Sequence, residues 1–214
     1  FNELRNYLNA KIVGHQEMVD AVLLGLISGE NVVLIGSPGT AKSMLATTLA
    51  DSIQGATVFK YLLTKFTDFA EIFGAVDVTE LSKGIYKRRW SSIVTSDIIF
   101  LDEIFKANSA ILNSLLSLLN EHIVYDPMTG TIQANVKLTI GASNEIPEET
   151  ELVALYDRFP IKVFVKYIQP KDIETAIDAT WKSVNFAKPN ITIDDVIEAQ
   201  EVTKKLFTMT IKTS

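Results

Sequence analysis

Two repeating patterns of hydrophobic positions run along the chain and predict alternating strands and helices. Short, predominantly apolar runs are typical of strands buried on both faces of a sheet. Three of them lie at residues 31–35, 98–101 and 136–142. Apolar residues at helical spacing predict amphipathic helices, and the clearest lie at residues 16–28, 44–53 and 109–121. Strands that alternate with helices indicate a parallel sheet covered on both faces, so the pattern predicts an α/β fold.

Two segments with turn chemistry interrupt the alternation. Residues 123–134 place Asp-Pro-Met-Thr-Gly between short β-prone segments, which predicts a β-hairpin. Residues 81–90 contain Gly84 followed by alternating apolar and polar positions, which predict a second small hairpin that interrupts a helix.

The character of the chain changes near Gln169. Beyond this residue the pattern predicts two helical segments, at residues 171–184 and 193–206. We therefore expect residues 1–169 to form an α/β core and residues 170–214 to form a smaller helical unit.

Composition and charge narrow the class of protein. Of 214 residues, 47% are hydrophobic and 21% are charged, as in ordinary globular proteins. The net charge of −6 offers no general electrostatic surface for nucleic acid or an anionic membrane. The run Lys87-Arg88-Arg89 is a local exception, and it predicts either a solvated or intersubunit face, or a contact with a client or nucleic acid.

The apolar run at residues 21–27 is too short to span a bilayer, and the chain has no cysteine, so we expect a cytoplasmic protein.

The first candidate site follows the apolar run at residues 31–35 and opens a helical segment. It consists of Gly36, Ser37, Pro38, Gly39, Thr40, Ala41, Lys42 and Ser43. A strand, a Gly-rich turn and a Lys-Ser pair are typical of the phosphate-binding loop of P-loop NTPases, whose backbone N–H groups and helix N-terminus face the phosphates. Lys42 is predicted to bind the β- and γ-phosphates of ATP, and the Ser43 hydroxyl to ligate Mg²⁺. Ala41 stands where the strict pattern has glycine, and we expect right-handed helical φ/ψ there, so that its Cβ does not clash.

The second candidate site is the pair Asp102-Glu103 at the end of the apolar run 98–101. A buried strand of a parallel sheet would bring both carboxylates to the same edge as the phosphate loop. Asp102 is predicted to hold the Mg²⁺ shell, and Glu103 to polarise the attacking water. A solvated acidic turn is the alternative, but the spacing of about 60 residues from the phosphate loop favours the functional interpretation.

Together these motifs resemble the MoxR family of AAA+ ATPases. The most specific part reads Ile-Phe-Leu-Asp-Glu-Ile-Phe-Lys-Ala-Asn-Ser-Ala-Ile-Leu-Asn-Ser-Leu-Leu, and the resemblance runs from about Ile12 to Val165. MoxR proteins also carry Ala before the lysine of the phosphate loop, so Ala41 is compatible with nucleotide binding. The resemblance implies an AAA+ sheet flanked by helices, with residues 170–214 as a partial α-helical lid, and both predicted hairpins match insertions of the helix-2-insert clade.

The resemblance also implies roles that the pattern alone leaves undecided. Asn144 matches sensor 1, which orients water and γ-phosphate, although a strand-end turn residue is an equal alternative. Arg158 matches the arginine finger that reaches a neighbouring subunit's γ-phosphate, with a salt bridge to Asp157 or another local carboxylate as the alternative. Ile12 and Val13 match part of the adenine pocket, and alone they are turn-flanking apolar residues. Because no arginine follows Arg158, the family's sensor 2 residue has no counterpart in this chain.

The function implied by the resemblance is ATP hydrolysis, with ATP and Mg²⁺ bound, in a ring of usually six subunits. Such rings drive chaperone-like remodelling or maturation of protein complexes, often with von Willebrand A-domain partners. Two alternatives stay open. A nucleic-acid-dependent motor is favoured only by the Lys87-Arg88-Arg89 run and is disfavoured by the net charge. A nucleotide-gated scaffold with little turnover is disfavoured by Glu103 and Arg158.

Overall fold

The computed structural model describes the backbone of residues 1–126, 128–181 and 187–212. Its strands are β1 (Val32–Ile35), β2 (Val58–Leu62), β3 (Ile98–Asp102), β4 (Ile123–Asp126), β5 (Gly130–Gln133), β6 (Leu138–Ser143) and β7 (Ile161–Phe164). Its α-helices are α1 (Asn2–Lys11), α2 (Gln16–Ser28), α3 (Lys42–Ser52), α4 (Phe69–Phe73), α5 (Val78–Leu81), α6 (Ser109–Glu121), α7 (Thr150–Tyr156), α8 (Pro170–Trp181) and α9 (Ile193–Lys212). Short 3₁₀ turns lie at Ser92–Val94 and Ile104–Lys106.

The main sheet contains five parallel strands in the order β2-β3-β6-β1-β7. Every residue of β1 and β6 is buried, as are the first four residues of β3, because helices cover both faces of the sheet. Residues of α1, α2, α3 and α9 join one buried cluster, and residues of α4, α6 and α7 join the other. The predicted α/β fold is confirmed.

Of the two predicted hairpins, one is present and the other is not formed within the residues predicted for it. Strands β4 and β5 pair in antiparallel register, with Asp126 opposite Gly130, so the first hairpin is confirmed. At the second, the expectation of a hairpin within residues 81–90 is wrong. The Asp77 carboxylate accepts hydrogen bonds from the Thr79 and Glu80 amides and starts α5. The backbone of the 87–89 segment then pairs with residues 75–77 across α5.

Helix α9 packs directly on the α/β core. Val196 is fully buried, and the Gln200 side chain donates hydrogen bonds to the carbonyls of Leu26 (2.7 Å) and Lys137 (2.9 Å). Part of the segment that the sequence assigns to a second unit thus contributes to the core of the first. The boundary near Gln169 stays a prediction.

Within the described ranges, none of the helices is long and apolar enough to cross a bilayer.

Candidate nucleotide-binding and hydrolysis site

The predicted phosphate loop, carboxylate pair and sensor 1 residue meet where β1, β3 and β6 end. In the sheet register Ile35 lies opposite Ser143, and Leu101 lies opposite Gly141. The loop after β1, Asn144 after β6 and Glu103 after β3 therefore leave the sheet at the same edge. Parallel sheets bind ligands at this edge, beyond the carboxyl ends of their strands.

Close backbone packing holds the first residue of the phosphate loop. The Gly36 amide donates to the Ser143 carbonyl at 2.9 Å. A Cβ on Gly36 would lie 2.2 Å from the Val165 carbonyl oxygen, which no side chain tolerates. The next three residues, Ser37, Pro38 and Gly39, form the turn.

The second half of the loop reverses the chain into α3. Thr40 is buried, and its hydroxyl donates to the Ser37 carbonyl at 2.8 Å. Ala41 has φ 59° and ψ 17°, so the expectation of right-handed helical dihedrals there is wrong. The left-handed conformation turns the chain sharply, and the alanine Cβ makes it unfavourable relative to glycine.

The start of α3 suits an anion. No side chain caps this helix, so the amides of its first turn are available to a phosphate group. Lys42 is buried, and its ammonium donates to the Gly36 and Ser37 carbonyls, the latter at 3.0 Å. Burial lowers the pKa of Lys42, while the charges of Asp102 and Glu103 oppose that shift. The Ser43 side chain is exposed at the same helix end.

The two carboxylates follow β3 with an abrupt change of direction. One oxygen of Asp102 accepts the Glu103 amide at 3.0 Å. Glu103 has φ 51° and ψ 43°, a left-handed conformation that turns its side chain back along the sheet edge. There the Asn144 side-chain amide donates to Glu103 Oε1 at 2.5 Å. The structure thus brings together Lys42, Asp102, Glu103 and Asn144.

A further cation lies beside Glu103 and was not expected from the sequence. Lys106 Nζ is 3.2 Å from Glu103 Oε2, and the Glu103 side chain is 17% exposed. The spacing of three residues was the available signal, because two residues three apart on a helical turn can form an ion pair.

Arg158 lies at the opposite end of β1 from the phosphate loop. Its carbonyl accepts a hydrogen bond from the Asn31 side chain, next to the first residue of β1. Its side chain is exposed, and no ion pair involves it within the part of the chain that the structure describes. The local salt bridge that the sequence left open, to Asp157 for example, is therefore not formed there, and Arg158 is not brought to its own chain's phosphate loop.

The predicted adenine-pocket residues differ in their environment. Ile12 is 1% exposed and belongs to the hydrophobic core, and Val13 is half-buried. A cavity of about 250 Å³ lies beside them, between the start of α2 and the segment after β7, and its lining includes His15 and Tyr167 but neither Ile12 nor Val13. Burial lowers the pKa of His15. The roles of Ile12 and Val13 stay predictions.

The basic run is mostly paired with carboxylates. Arg88 Nε lies 2.5 Å from Asp126, a fully buried carboxylate on β4, and its other nitrogens donate to the Gly74 carbonyl and the Tyr86 hydroxyl. Arg89 pairs with Asp77 at 2.8 Å. These ion pairs weaken the one sequence feature that favoured a nucleic-acid motor.

Comparison with known proteins agrees with this geometry. The strand order and the loop after β1 are those of an α/β fold with a parallel sheet flanked by helices, consistent with the AAA+ fold. A family model described as the MoxR domain in the MoxR-vWA-beta-propeller ternary systems matches residues 1–205. The chain therefore belongs to the MoxR family of AAA+ ATPases.

Individual relatives match most of this chain but only part of their own length. An uncharacterised protein of Methanocaldococcus jannaschii is 36% identical over 98% of this chain and 56% of its own. The chaperone MoxR1 of Mycobacterium tuberculosis is 26% identical over 92% of this chain and 52% of its own. The chain thus spans about half the length of these curated relatives. A solved structure from Cytophaga hutchinsonii, provisionally described as an ATPase, is similar in fold, with a TM-score of 0.74 at 21% identity over 94% of this chain and 61% of that one.

Proposed function

We propose that this chain is an ATP-hydrolysing subunit of a ring that remodels or matures protein complexes. The observation that carries the proposal is the meeting of Lys42, Asp102, Glu103 and Asn144 at one sheet edge, beside an uncapped helix N-terminus. A buried cation, two carboxylates and free amides are the groups that phosphoryl transfer needs.

The residues present fit ATP and Mg²⁺. The first-turn amides of α3 and the Lys42 ammonium would hold the β- and γ-phosphates. The exposed Ser43 hydroxyl and the Asp102 carboxylate, which uses one oxygen for the Glu103 amide, supply the oxygen ligands that Mg²⁺ prefers. When bound, the ion would neutralise charge on the phosphates.

In the proposed reaction Glu103 accepts a proton from the attacking water. The water oxygen forms a bond to the γ-phosphorus while the bond from that phosphorus to the leaving oxygen breaks, and the leaving oxygen keeps the electron pair as part of ADP. Asn144 orients the water and the γ-phosphate. Lys42 stabilises negative charge on the transferring group.

We propose a ring because one chain supplies only part of this site. Arg158 is exposed and lies beyond the amino end of β1, whereas the phosphate loop follows the carboxyl end. It would therefore act on the γ-phosphate bound by a neighbouring copy, as trans-acting arginine fingers do. A closed ring gives every site such a neighbour. The AAA+ proteins that this chain resembles usually form rings of six subunits.

The proposed client is a protein, and the proposed partner contains a von Willebrand A domain. The family model is described for ternary systems of MoxR, vWA and β-propeller components, and one relative is named a chaperone. The net charge of −6 and the paired arginines also favour a protein over nucleic acid.

The substitution Glu103→Gln tests the proposed hydrolysis. It removes the proton acceptor but keeps the side-chain shape, so we expect steady-state ATP turnover to fall on the order of 10²-fold or more, with nucleotide affinity retained. Glu148→Gln is the matched control, because Glu148 is exposed on the loop after Asn144. Turnover that is equal in the Glu103→Gln protein and the wild type would contradict the assignment.

A further inference from the structure

Each oxygen of the Glu103 carboxylate has its own partner. Asn144 donates to Oε1 at 2.5 Å from the end of β6, the strand that lies between β3 and the phosphate-loop strand β1. Lys106 Nζ lies 3.2 Å from Oε2. Oε1 therefore lies on the side of Glu103 that faces β6 and the phosphate loop, and Lys106 holds the second oxygen, Oε2.

The backbone that carries Lys106 is rigidly placed. The 3₁₀ turn Ile104–Lys106 begins at Glu103, and the Lys106 amide donates to the Glu103 carbonyl at 2.8 Å. Ile104 is fully buried and Phe105 is 8% exposed, with its ring packed edge-on against Tyr156 at 5.8 Å between centroids. The backbone from which the Lys106 side chain extends is thus anchored next to the Glu103 carboxylate.

A purely structural role does not account for this ion pair. The Lys106 side chain is 51% exposed, and an ion pair with a half-exposed partner adds little to folding stability. The anchoring of the turn comes from Ile104 and Phe105 instead. The partner of the ammonium is a carboxylate of the candidate site that is only 17% exposed and is also bound by Asn144.

We propose that Lys106 is a positioning residue for the general base Glu103, an inference that rests on the function proposed above. By holding Oε2, Lys106 keeps Oε1 directed at the phosphate loop. A carboxylate oxygen has two acceptor sites, so Oε1 can accept both the Asn144 amide and the proton of the attacking water. Without Lys106 the Glu103 side chain samples other rotamers, and the aligned fraction falls.

The expected effect lies in kcat rather than in KM. Lys106 contacts no residue of the phosphate loop through a side-chain bond in the described structure, so nucleotide binding does not depend on it. Misplacing a catalytic group by about 1 Å can cost on the order of 10²-fold in rate. Because Asn144 still holds Oε1, we expect Lys106→Met to lower kcat by about 10-fold.

The experiment compares four variants of the assembled ring with the wild type in steady-state ATP hydrolysis. Lys106→Met should lower kcat about 10-fold with the KM for ATP within about twofold, and Lys106→Arg should restore most of kcat because it returns a cation. Lys65→Met is the matched control, since Lys65 lines the same cavity of about 750 Å³ as Lys106 without pairing with Glu103, and it should match the wild type. Glu103→Gln reports on the base itself.

The outcomes separate the two proposals. If Glu103→Gln abolishes turnover but Lys106→Met leaves kcat within twofold of wild type, or if Lys106→Arg is as slow as Lys106→Met, the positioning role is wrong and the proposed function stands. If Glu103→Gln leaves turnover unchanged, the assignment of the base fails and the positioning role fails with it. A Lys106→Met protein that shows the drop in kcat while keeping the wild-type melting temperature supports the proposal.

Discussion

At the residue scale, backbone strain is concentrated at the proposed hydrolysis site. Three described non-glycine residues have positive φ, and two of them, Ala41 and Glu103, belong to the site. A left-handed conformation costs a residue with a Cβ about 1 kcal/mol or more, and such residues cluster where function requires an exact chain direction. Here Ala41 directs the loop into α3, and Glu103 turns its carboxylate towards Asn144.

The strain at Ala41 predicts an unusual response to glycine. Glycine adopts left-handed dihedrals freely, so Ala41→Gly should stabilise the fold by up to about 1 kcal/mol, after the entropy of the more flexible unfolded chain is subtracted. Ala154→Gly is the control, because Ala154 is exposed within α7 and should lose about 1 kcal/mol. Urea unfolding without nucleotide measures both.

A loss of stability in Ala41→Gly as large as in Ala154→Gly would contradict this account. It would mean that packing of the Ala41 Cβ against the core outweighs the strain.

At the scale of elements, a buried ion pair joins the two segments that the family resemblance identifies as insertions. Asp126 on β4 is fully buried and Arg88 is 9% exposed. The Arg88 guanidinium also lies over the rings of Phe69 (4.8 Å) and Trp90 (5.8 Å). Burial by itself would raise the pKa of Asp126, but the bond from Arg88 and the Thr129 and Met128 amides outweigh it and lower that pKa to about 2.

This pair makes a prediction for stability and its pH dependence. Asp126→Asn leaves a buried guanidinium without a counter-charge, which should cost ~3 kcal/mol at neutral pH. Since the folded-state pKa of Asp126 is below its unfolded value, the carboxylate contributes stability above about pH 4 and loses it as the pH falls towards 2. The difference between wild type and Asp126→Asn should therefore shrink over that window in urea unfolding.

Asp77→Asn provides the comparison. It weakens the pair with Arg89, which is 71% exposed, and asparagine can still cap α5, so a smaller loss is expected. Equal losses in the two variants would show that burial does not govern the strength of these ion pairs.

At the scale of the whole molecule, the proposed site is divided between the two ends of β1. The phosphate loop follows its carboxyl end, and Arg158 lies beside Asn31 at its amino end. A strand of four residues separates them by about 13 Å of backbone rise, and the sheet prevents the two ends from meeting. We therefore expect Arg158 to act at the site of a second copy.

Mixing two inactive variants tests this division. In a ring formed from equal amounts of Arg158→Ala and Lys42→Ala subunits, about a quarter of the interfaces pair an intact Lys42 with an intact Arg158. We expect ATP turnover to recover to roughly that fraction of wild type, as measured in rings captured through a tag on only one variant. A ring of doubly substituted chains is the control, and no recovery in rings shown to contain both variants would place Arg158 outside the neighbour's site.

Much of the fold and the candidate site could be predicted because their signals are local. A buried parallel strand is apolar along its whole length, as at β1 and β3. The phosphate loop is one contiguous segment, so its glycines and its lysine can be recognised from their spacing along the chain. The conformation of Ala41 was predicted wrongly because alanine normally avoids the left-handed region, so the residue type gives no signal for the φ of 59° found there.

The sequence by itself determined the alternation of strands and helices, the phosphate loop, the Asp102-Glu103 pair and the MoxR resemblance. Each of these depends on residues that are close together along the chain. Only the tertiary structure decided the partners of charged side chains. It brought Arg88 to Asp126 and Asn144 to Glu103, and it separated Arg158 from its own phosphate loop. Ion pairs and hydrogen bonds depend on distances across the fold, and neither composition nor spacing specifies those distances.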